Sequence, residues 1–503
     1  MKKRAIRFIF RGQPQEVQHS PTTRTILQYL REDVRCTGTK EGCAEGDCGA
    51  CTVMLGELDE HGHLALRAVN SCIQLLPTLD GKALYTVEDL AAADGTLHPV
   101  QQAMMDAHGA QCGFCTPGFL MSLWGLYLRH QAQATIPTRQ EIDDVLSGNL
   151  CRCTGYRPLI DAALRMHQYP CTEFDQATVT EQLKALQAAG PLAYEYQGQT
   201  FHAPQTLTEL AQLRADYPAA RLLAGSTDIG LWVTRQFREL PHLIYTGRVA
   251  ELHRIEQQGS ELYIGAAALL NHAYDALLEY FPELHELRHR FASYPIRNAG
   301  TLGGNVANGS PIGDSMPWLI ALRAQIVLRQ GARLRQMPLE DYYLAYQKTA
   351  LEVGEFVQGL LIPLDREHWR FRTYKLSKRH DQDISAVCAA YAVKLDAQGN
   401  IEQARVAYGG MAATPKRAHA CEATLQGQHW NEATAQFGMQ ALEQDFQPLS
   451  DMRASAPYRL LSAQNLLYRF YLETRPDAPL AAHQLNVFSL AKQNVSFHQE
   501  GQA

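Results

Sequence analysis

The chain has 503 residues, a formal net charge of −6 and an isoelectric point near 6.3, which leaves no electrostatic case for a nucleic-acid partner. Apolar residues make up 46%, too many for a disordered chain, and no run of about 20 apolar residues predicts a membrane span. The start, MKKRAIRFIF, is too short in apolar residues for a secretory signal, so the twelve cysteines predict metal ligation in a cytoplasmic setting and not a disulfide framework.

Length predicts about three or four domains. In the first, residues 1–86, Ala5 to Phe10 reads as a strand and Thr25 to Glu32 as a helix with Ile26, Leu27 and Leu30 on one side. Then comes GCAEGDCGAC, with Cys43, Cys48 and Cys51, followed by Cys72 in VNSCIQ. C-x4-C-x2-C with a distant fourth cysteine is the plant-type [2Fe–2S] spacing. Iron bridged by sulfide takes soft thiolate donors, and Gly42, Gly46 and Gly49 let the backbone wrap closely round a cluster. Zinc sites usually pair two short C-x2-C knuckles, and only one pair here is short. Cys36 would break the x4 spacing and reads as a structural thiol. Thr52 to Leu55 and Leu64 to Val69 read as strands, completing a ferredoxin-like β-grasp.

Residues 87–167 carry a second set, Cys112 and Cys115 in QCGFCTPG and Cys151 and Cys153 in NLCRCTGYRP. Each pair precedes a helix. Thr116 is the expected N-cap, with Pro117 at the first helical position; Thr154 and Pro158 open a later helix. Thr138 and Glu141 predict a capping box for a helix reaching Leu146. Positive helix ends favour thiolates and an anionic cluster, although on spacing alone zinc remains an alternative. Residues 168–190 read as a linker with a short helix, and Cys171 in it has no partner pattern.

In the third domain, residues 191–365, RLLAGSTDIGLW predicts a strand, a turn of small residues and a helix, which can bring backbone N–H groups to a phosphate. A second glycine-rich run, GTLGGNVAN followed by SPIGD, suggests a dinucleotide held between two loops. Neither matches G-x-G-x-x-G, so no Rossmann site is expected. In the fourth domain, residues 370–475, RFRTYKLSKRHDQD mixes five basic residues with acids. It is either a solvated strand and loop or a loop over a flavin where an anionic dinucleotide docks. Ile384 to Leu395 and Arg405 to Tyr408 read as strands, and Cys388 and Cys421 as structural thiols.

CAEGDCGAC, QCGFCTPG and NLCRCTGYRP together resemble the two [2Fe–2S] domains of the molybdenum hydroxylases, with all eight ligand positions matched. The resemblance implies that Cys43, Cys48, Cys51 and Cys72 hold one cluster, and that Cys112, Cys115, Cys151 and Cys153 hold the other. Gln111 matches a position that can touch the pterin of the molybdenum cofactor. AGSTDIG and RNAGTLGGNVANGSPIGD are similar to the family's FAD loops, in a vanillyl-alcohol-oxidase-type fold of two α+β subdomains. By that likeness Leu222, Leu223, Ala224, Gly225, Ser226, Thr227, Asp228 and Ile229 line one side of the FAD. Phe291, Thr301, Leu302, Gly303, Gly304, Asn305 and Asp314 line the other, and Lys375 matches a position that contacts it. Phe291 is otherwise a core aromatic and Asp314 a helix cap. Gln382 stands where the family often carries an acid.

The resemblance covers nearly the whole chain and implies an α+β multidomain protein ending in a small α+β flavoprotein C-terminal domain. The expectation is the iron–sulfur/FAD subunit of a xanthine-dehydrogenase-type enzyme, with no room here for molybdenum-binding domains. No side-chain catalytic residue is expected on the chain. A large molybdopterin-binding subunit would be the partner, in an α2β2 heterotetramer with NAD+ as electron acceptor. Aldehyde, nicotinate and carbon monoxide dehydrogenases, or a simple ferredoxin-type carrier, are the alternatives.

Overall fold

The computed structural model describes residues 3–485. In β1 (Ile6–Phe10) Ile6 and Phe8 are buried while Arg7 between them is exposed, the alternation a half-buried strand requires. β1 pairs antiparallel with β2 (Gln13–Val17). With β3 (Thr52–Leu58), β4 (Leu64–Asn70) and β5 (Ala83–Tyr85) they form a sheet of order β2-β1-β5-β3-β4, in which β1 and β5 run parallel. The helix expected at Thr25 to Glu32 forms differently. A capping box between Thr25 and Gln28 starts one α-turn, Ile26–Gln28, which widens into the π-turn Tyr29–Asp33 closed by the Val34 N–H on the Tyr29 carbonyl.

Four helices follow: Pro99–Asp106, Thr116–Gln133, Arg139–Leu146 and Arg157–Arg165. The Thr138–Glu141 capping box forms as expected. The expected Thr116 cap does not: Cys115 occupies the N-cap position without a side-chain cap bond, and Thr116 is already the first helical residue. Thr154 likewise stops short of the next helix, which begins at Arg157 behind Tyr156 in a left-handed conformation (φ 69°). These helices share a core with the first sheet, where Phe119, Leu123 and Leu126 meet Ile9 and Met54. The linker helix, Gln176–Gln187, buries Val179 and Leu183 in that same core.

Two further sheets follow. β6 (Leu192–Tyr196), β7 (Gln199–Ala203), β8 (Arg221–Leu223) and β9 (His242–Tyr245) lie in the order β6-β7-β9-β8. β10 (Ile255–Gln258), β11 (Glu261–Gly265), β12 (Gln325–Gln330), β13 (Arg333–Pro338) and a later strand, Phe356–Pro363, form the second, which is antiparallel throughout. The last sheet is an antiparallel meander of Trp369–Leu376, Val387–Leu395, Ile401–Gly409 and Lys416–Arg417. Helices His419–Leu425, Glu432–Asp445 and Ala456–Thr474 cover it through a core that includes Tyr391, Tyr408, Trp430 and Phe470. Among the described residues no helix is long and apolar enough to cross a membrane.

Asp80 fastens the first sheet to β6 and its neighbours. It is buried and takes ion pairs from Arg4 at 2.6 Å and from Arg248. Arg4 N–H also donates to the Ala193 carbonyl at 2.9 Å.

Candidate functional site

The first cysteine loop is folded by close backbone approach. Gly46 (φ 80°) and Gly49 (φ 70°) adopt left-handed conformations that favour glycine. The Cys48 N–H points at Cys43 Sγ, 3.4 Å away. Cys43 lies against the thiols of Cys48 and Cys72, and Cys51 against Cys72. Asn70 Nδ2 stands 3.9 Å from Cys51 Sγ. Cys51 and Cys72 are buried beside Leu27 and Ile73, while Cys43 and Cys48 are half-buried. Cys36 is elsewhere: its sulfur meets Thr86 Oγ1 at 3.6 Å, and burial pushes its thiol up to about 11.

In the helical unit Cys115 lies against Cys151, and Cys112 against Cys153. Thr154, which does not cap the helix, donates from Oγ1 to Cys151 Sγ at 3.2 Å. Cys112, Cys153, Gln111 and Phe114 are exposed. Among the described residues no group of three or more His, Cys, Asp or Glu side chains converges on a single-ion site. Four cysteines gathered at each of the two loops suit a [2Fe–2S] cluster, which takes four thiolates.

The two cysteine loops touch. Leu150 N–H donates to the Cys48 carbonyl at 2.9 Å. The buried Asn149 donates to Gly49 O at 3.1 Å and Thr52 Oγ1 at 3.2 Å, and accepts from Ser122 Oγ at 2.6 Å.

The two glycine loops also meet. Behind β8, Leu223 is buried and Leu222 and Ala224 half-buried. The chain turns through Gly225, Ser226 (φ 61°), Thr227 and Asp228 into the helix Ile229–Thr234. A Cβ on Gly225 would overlap the Ala299 carbonyl oxygen, and one on Gly303 would overlap Ala266. Thr301 caps the helix Leu302–Asn308 by accepting from Gly304 N–H at 2.9 Å. Ser226 Oγ and Asn305 Oδ1 are buried without a hydrogen-bond partner. One orphaned polar atom on each of two abutting loops fits a polar ligand bound between them.

The first cysteine loop backs directly onto these loops. Gln74 Nε2 donates to Gly225 O at 2.8 Å, and Thr234 Oγ1 to Ala44 O at 2.7 Å. Gly230 faces the Ile73 carbonyl so closely that a Cβ would overlap it, and Leu231 and Ile296 pack on Cys51, Cys72 and Ile73.

Asp314 and Lys375 come together. Both are buried, Lys375 Nζ is paired with Asp314, and Ser385 Oγ bridges them at 2.8 Å from Nζ and 2.6 Å from Asp314 Oδ1. Asp314 precedes the helix Ser315–Ala321 but makes no side-chain cap bond. Phe291 is half-buried against Tyr274, ring centroids 5.9 Å apart. The basic run folds as a strand and an exposed loop, where Arg379 pairs with Asp383 at 3.4 Å and approaches Asp47 at 3.9 Å. Burial raises the thiols of Cys388 and Cys421. Cys171 is exposed and accepts from Gln131 at 2.7 Å.

Four sequence families match the chain in order. They are the 2Fe-2S iron-sulfur cluster binding domain (residues 8–75), the [2Fe-2S] binding domain (86–164), the FAD binding domain in molybdopterin dehydrogenase (194–365) and the CO dehydrogenase flavoprotein C-terminal domain (372–474). Xanthine dehydrogenase of Drosophila subobscura is 34% identical over 78% of this chain and 33% of its own length. The chain thus spans about a third of the length of the curated relatives it matches. A carbon monoxide dehydrogenase chain from Hydrogenophaga pseudoflava superimposes with a TM-score of 0.51 at 28% identity, over 54% of this chain and 94% of that one. Quinoline 2-oxidoreductase from Pseudomonas putida 86 gives 0.51 at 27%, over 57% of this chain and 100% of that one. The four domains and these relatives identify the chain as an iron–sulfur/FAD component of the molybdenum hydroxylase family.

Proposed function

We propose that the chain is the electron-transfer part of a xanthine-dehydrogenase-type enzyme, carrying electrons from a molybdopterin centre on a larger partner subunit to NAD+. Cys112, Cys115, Cys151 and Cys153 hold the entry cluster. Cys43, Cys48, Cys51 and Cys72 hold the second. Leu222 to Ile229 and Thr301 to Asn305 cradle FAD, with Phe291 at its edge. The flavin, when bound, supplies the change from single electrons to a hydride.

The observation that carries the reading is the order of contacts. The exposed Cys112 and Cys153 face outward, Leu150 joins the entry loop to Cys48, and Ile73, next to Cys72, lies against the helix that leaves the first glycine loop. The residues keep that order fixed, exclude water around Cys51 and Cys72 and leave an accessible face at the entry set for a partner. Asp314 and Lys375 neutralise each other, so their part in flavin binding is to hold the last sheet against the glycine loops. An α2β2 assembly and a cytoplasmic location complete the proposal.

Carbon monoxide dehydrogenase is the second reading, favoured by the likeness to the Hydrogenophaga chain. The test is to purify the chain with whatever accompanies it and measure iron, flavin, molybdenum and xanthine-dependent NADH. About four iron and one FAD per chain, molybdenum on a larger companion and NADH from xanthine are expected. Iron, flavin and molybdenum without xanthine turnover would move the substrate to a relative. Zinc without flavin would overturn the reading.

A further inference from the structure

Ala292 sits in the left-handed region (φ 54°), a conformation a non-glycine residue keeps only when its surroundings over-determine it. Its carbonyl is held by one guanidinium. Arg297 has no exposed surface. Its Nη1 donates to the Phe291 carbonyl at 3.0 Å and the Ala292 carbonyl at 2.9 Å, and its Nε to Asn271 Oδ1 at 2.9 Å. A buried guanidinium needs a counter-charge. Among the described residues the carboxylate it meets is Asp144, on the helix Arg139–Leu146 of the helical cysteine unit and 153 positions away in sequence. Asp144 also takes Arg288 Nη1 at 3.0 Å and faces His289 at 3.6 Å. The turn after that helix presses on the same segment, where Ser147 Oγ accepts from Tyr294 N–H at 3.4 Å and Gly148 leaves no room for a Cβ beside Pro295.

We infer that Asp144 is a positioning residue for the flavin: by neutralising Arg297 it lets that side chain clamp the strained Phe291–Ala292 main chain at the FAD face. The helical cysteine unit, which supplies none of the flavin-lining residues, thereby sets the shape of the flavin pocket. This rests on the proposed assignment of Phe291 to the FAD site. With Asp144 neutral, Arg297 is an unpaired buried cation that turns toward water. It then releases both carbonyls, and Ala292 relaxes out of its left-handed conformation. Arg297→Lys keeps the charge pair but cannot hold two carbonyls and Asn271 at once, because it lacks the guanidinium fork.

The experiment uses the full chain, deflavinated and titrated with FAD, with visible circular dichroism of the bound flavin and the melting temperature of the apoprotein as companions. Expected are a rise in the FAD dissociation constant of about tenfold or more in both Asp144→Asn and Arg297→Lys, together with an altered flavin dichroism. Arg297→Lys should also lower the melting temperature, because buried acceptors lose their donors, so the deciding readout is the altered dichroism of flavin bound at saturation, which mere docking of the two units would not move. Asp144→Glu should recover part of the affinity, and Asp275→Asn, which removes only the outer partner of Arg288 at 3.0 Å, should leave it unchanged. Parent-like affinity and dichroism in Arg297→Lys would overturn the proposal, and that variant decides if Asp144→Asn does not fold. A parent chain that binds no FAD at all would instead overturn the flavin reading itself.

Discussion

The main-chain N–H of Leu150 donates to the carbonyl of Cys48 at 2.9 Å, so a residue beside one cysteine set is hydrogen-bonded to a member of the other. Asn149 braces that contact with three side-chain hydrogen bonds. Asn149→Ala removes all three; Thr52 Oγ1 and Gly49 O keep their bond to each other at 2.7 Å, while the buried Ser122 hydroxyl loses its acceptor, a cost of about 1–3 kcal/mol. Urea denaturation of the holoprotein should show it. Electron paramagnetic resonance of the reduced protein should show weaker magnetic interaction between the two clusters at unchanged iron content.

Asp314, at the start of the helix Ser315–Ala321, and Lys375, in the strand Trp369–Leu376, are a buried pair. Removing one partner leaves an uncompensated charge, which costs about 3–5 kcal/mol. Asp314→Asn and Lys375→Met should each destabilise by that order, and the double variant by less than the sum. A double-mutant cycle on chemical denaturation measures the difference; strict additivity would mean the two charges do not see each other.

Glu57 sits between Arg67 and Lys82, the latter at 3.1 Å. Burial pushes its carboxyl up, but the two cations, with His253 behind them, outweigh burial and hold it well below its ordinary value of 4.5. A carboxyl depressed in the folded state contributes stability above its unfolded pKa and loses it as pH falls below that value. Stability should therefore drop steadily from about pH 4.5 downward. Glu57→Gln should be less stable at pH 7, with a shallower acid slope, in urea melts across the pH range.

At Gly225 a methyl group would overlap the Ala299 carbonyl oxygen, which is backbone and cannot rotate away. Gly225→Ala should separate the two glycine loops and abolish flavin retention on gel filtration. Alanine at Gly198, which has open space around it, should keep the flavin and lose only about 1 kcal/mol to its left-handed backbone.

Local chemistry made much of this legible. Cysteine spacing marked the two [2Fe–2S] domains that the family matches bear out, the Thr138–Glu141 capping box marked its helix, and RLLAGSTDIGLW marked a strand, a turn and a helix. Thr116 misled because the helix begins one residue earlier than its cap chemistry suggests, with Cys115 at the cap position. The Thr25 helix misled because periodicity does not distinguish an α-turn from the wider turn that Val34 closes on Tyr29. The long-range pairs had no local signal at all. Asp144 reads as an ordinary helix-surface acid and Arg297 as one more arginine in a glycine-rich run; only the fold brings them together. Lys375 and Asp314 were each assigned to the ligand through their family positions, and only the fold shows that they are also paired with one another.

The helix Gln176–Gln187 inserts Val179 and Leu183 into the core beneath the first sheet, and Gln182 donates to the Gly12 carbonyl at 3.0 Å. Although it lies after the helical unit in sequence, it belongs mechanically to the amino-terminal third of the molecule. A protease or a split gene that severed the chain before Gln176 would strand this helix on the wrong fragment and leave an oily groove on the other. Severed at residues 188–190 instead, the helix stays with the unit it packs on, but the cut divides the core in which Ile6, Phe8 and Leu55 pack with Leu192, Phe201 and Leu243, so the two halves would have to reassemble through that apolar face as well as through Arg4, Asp80 and Arg248.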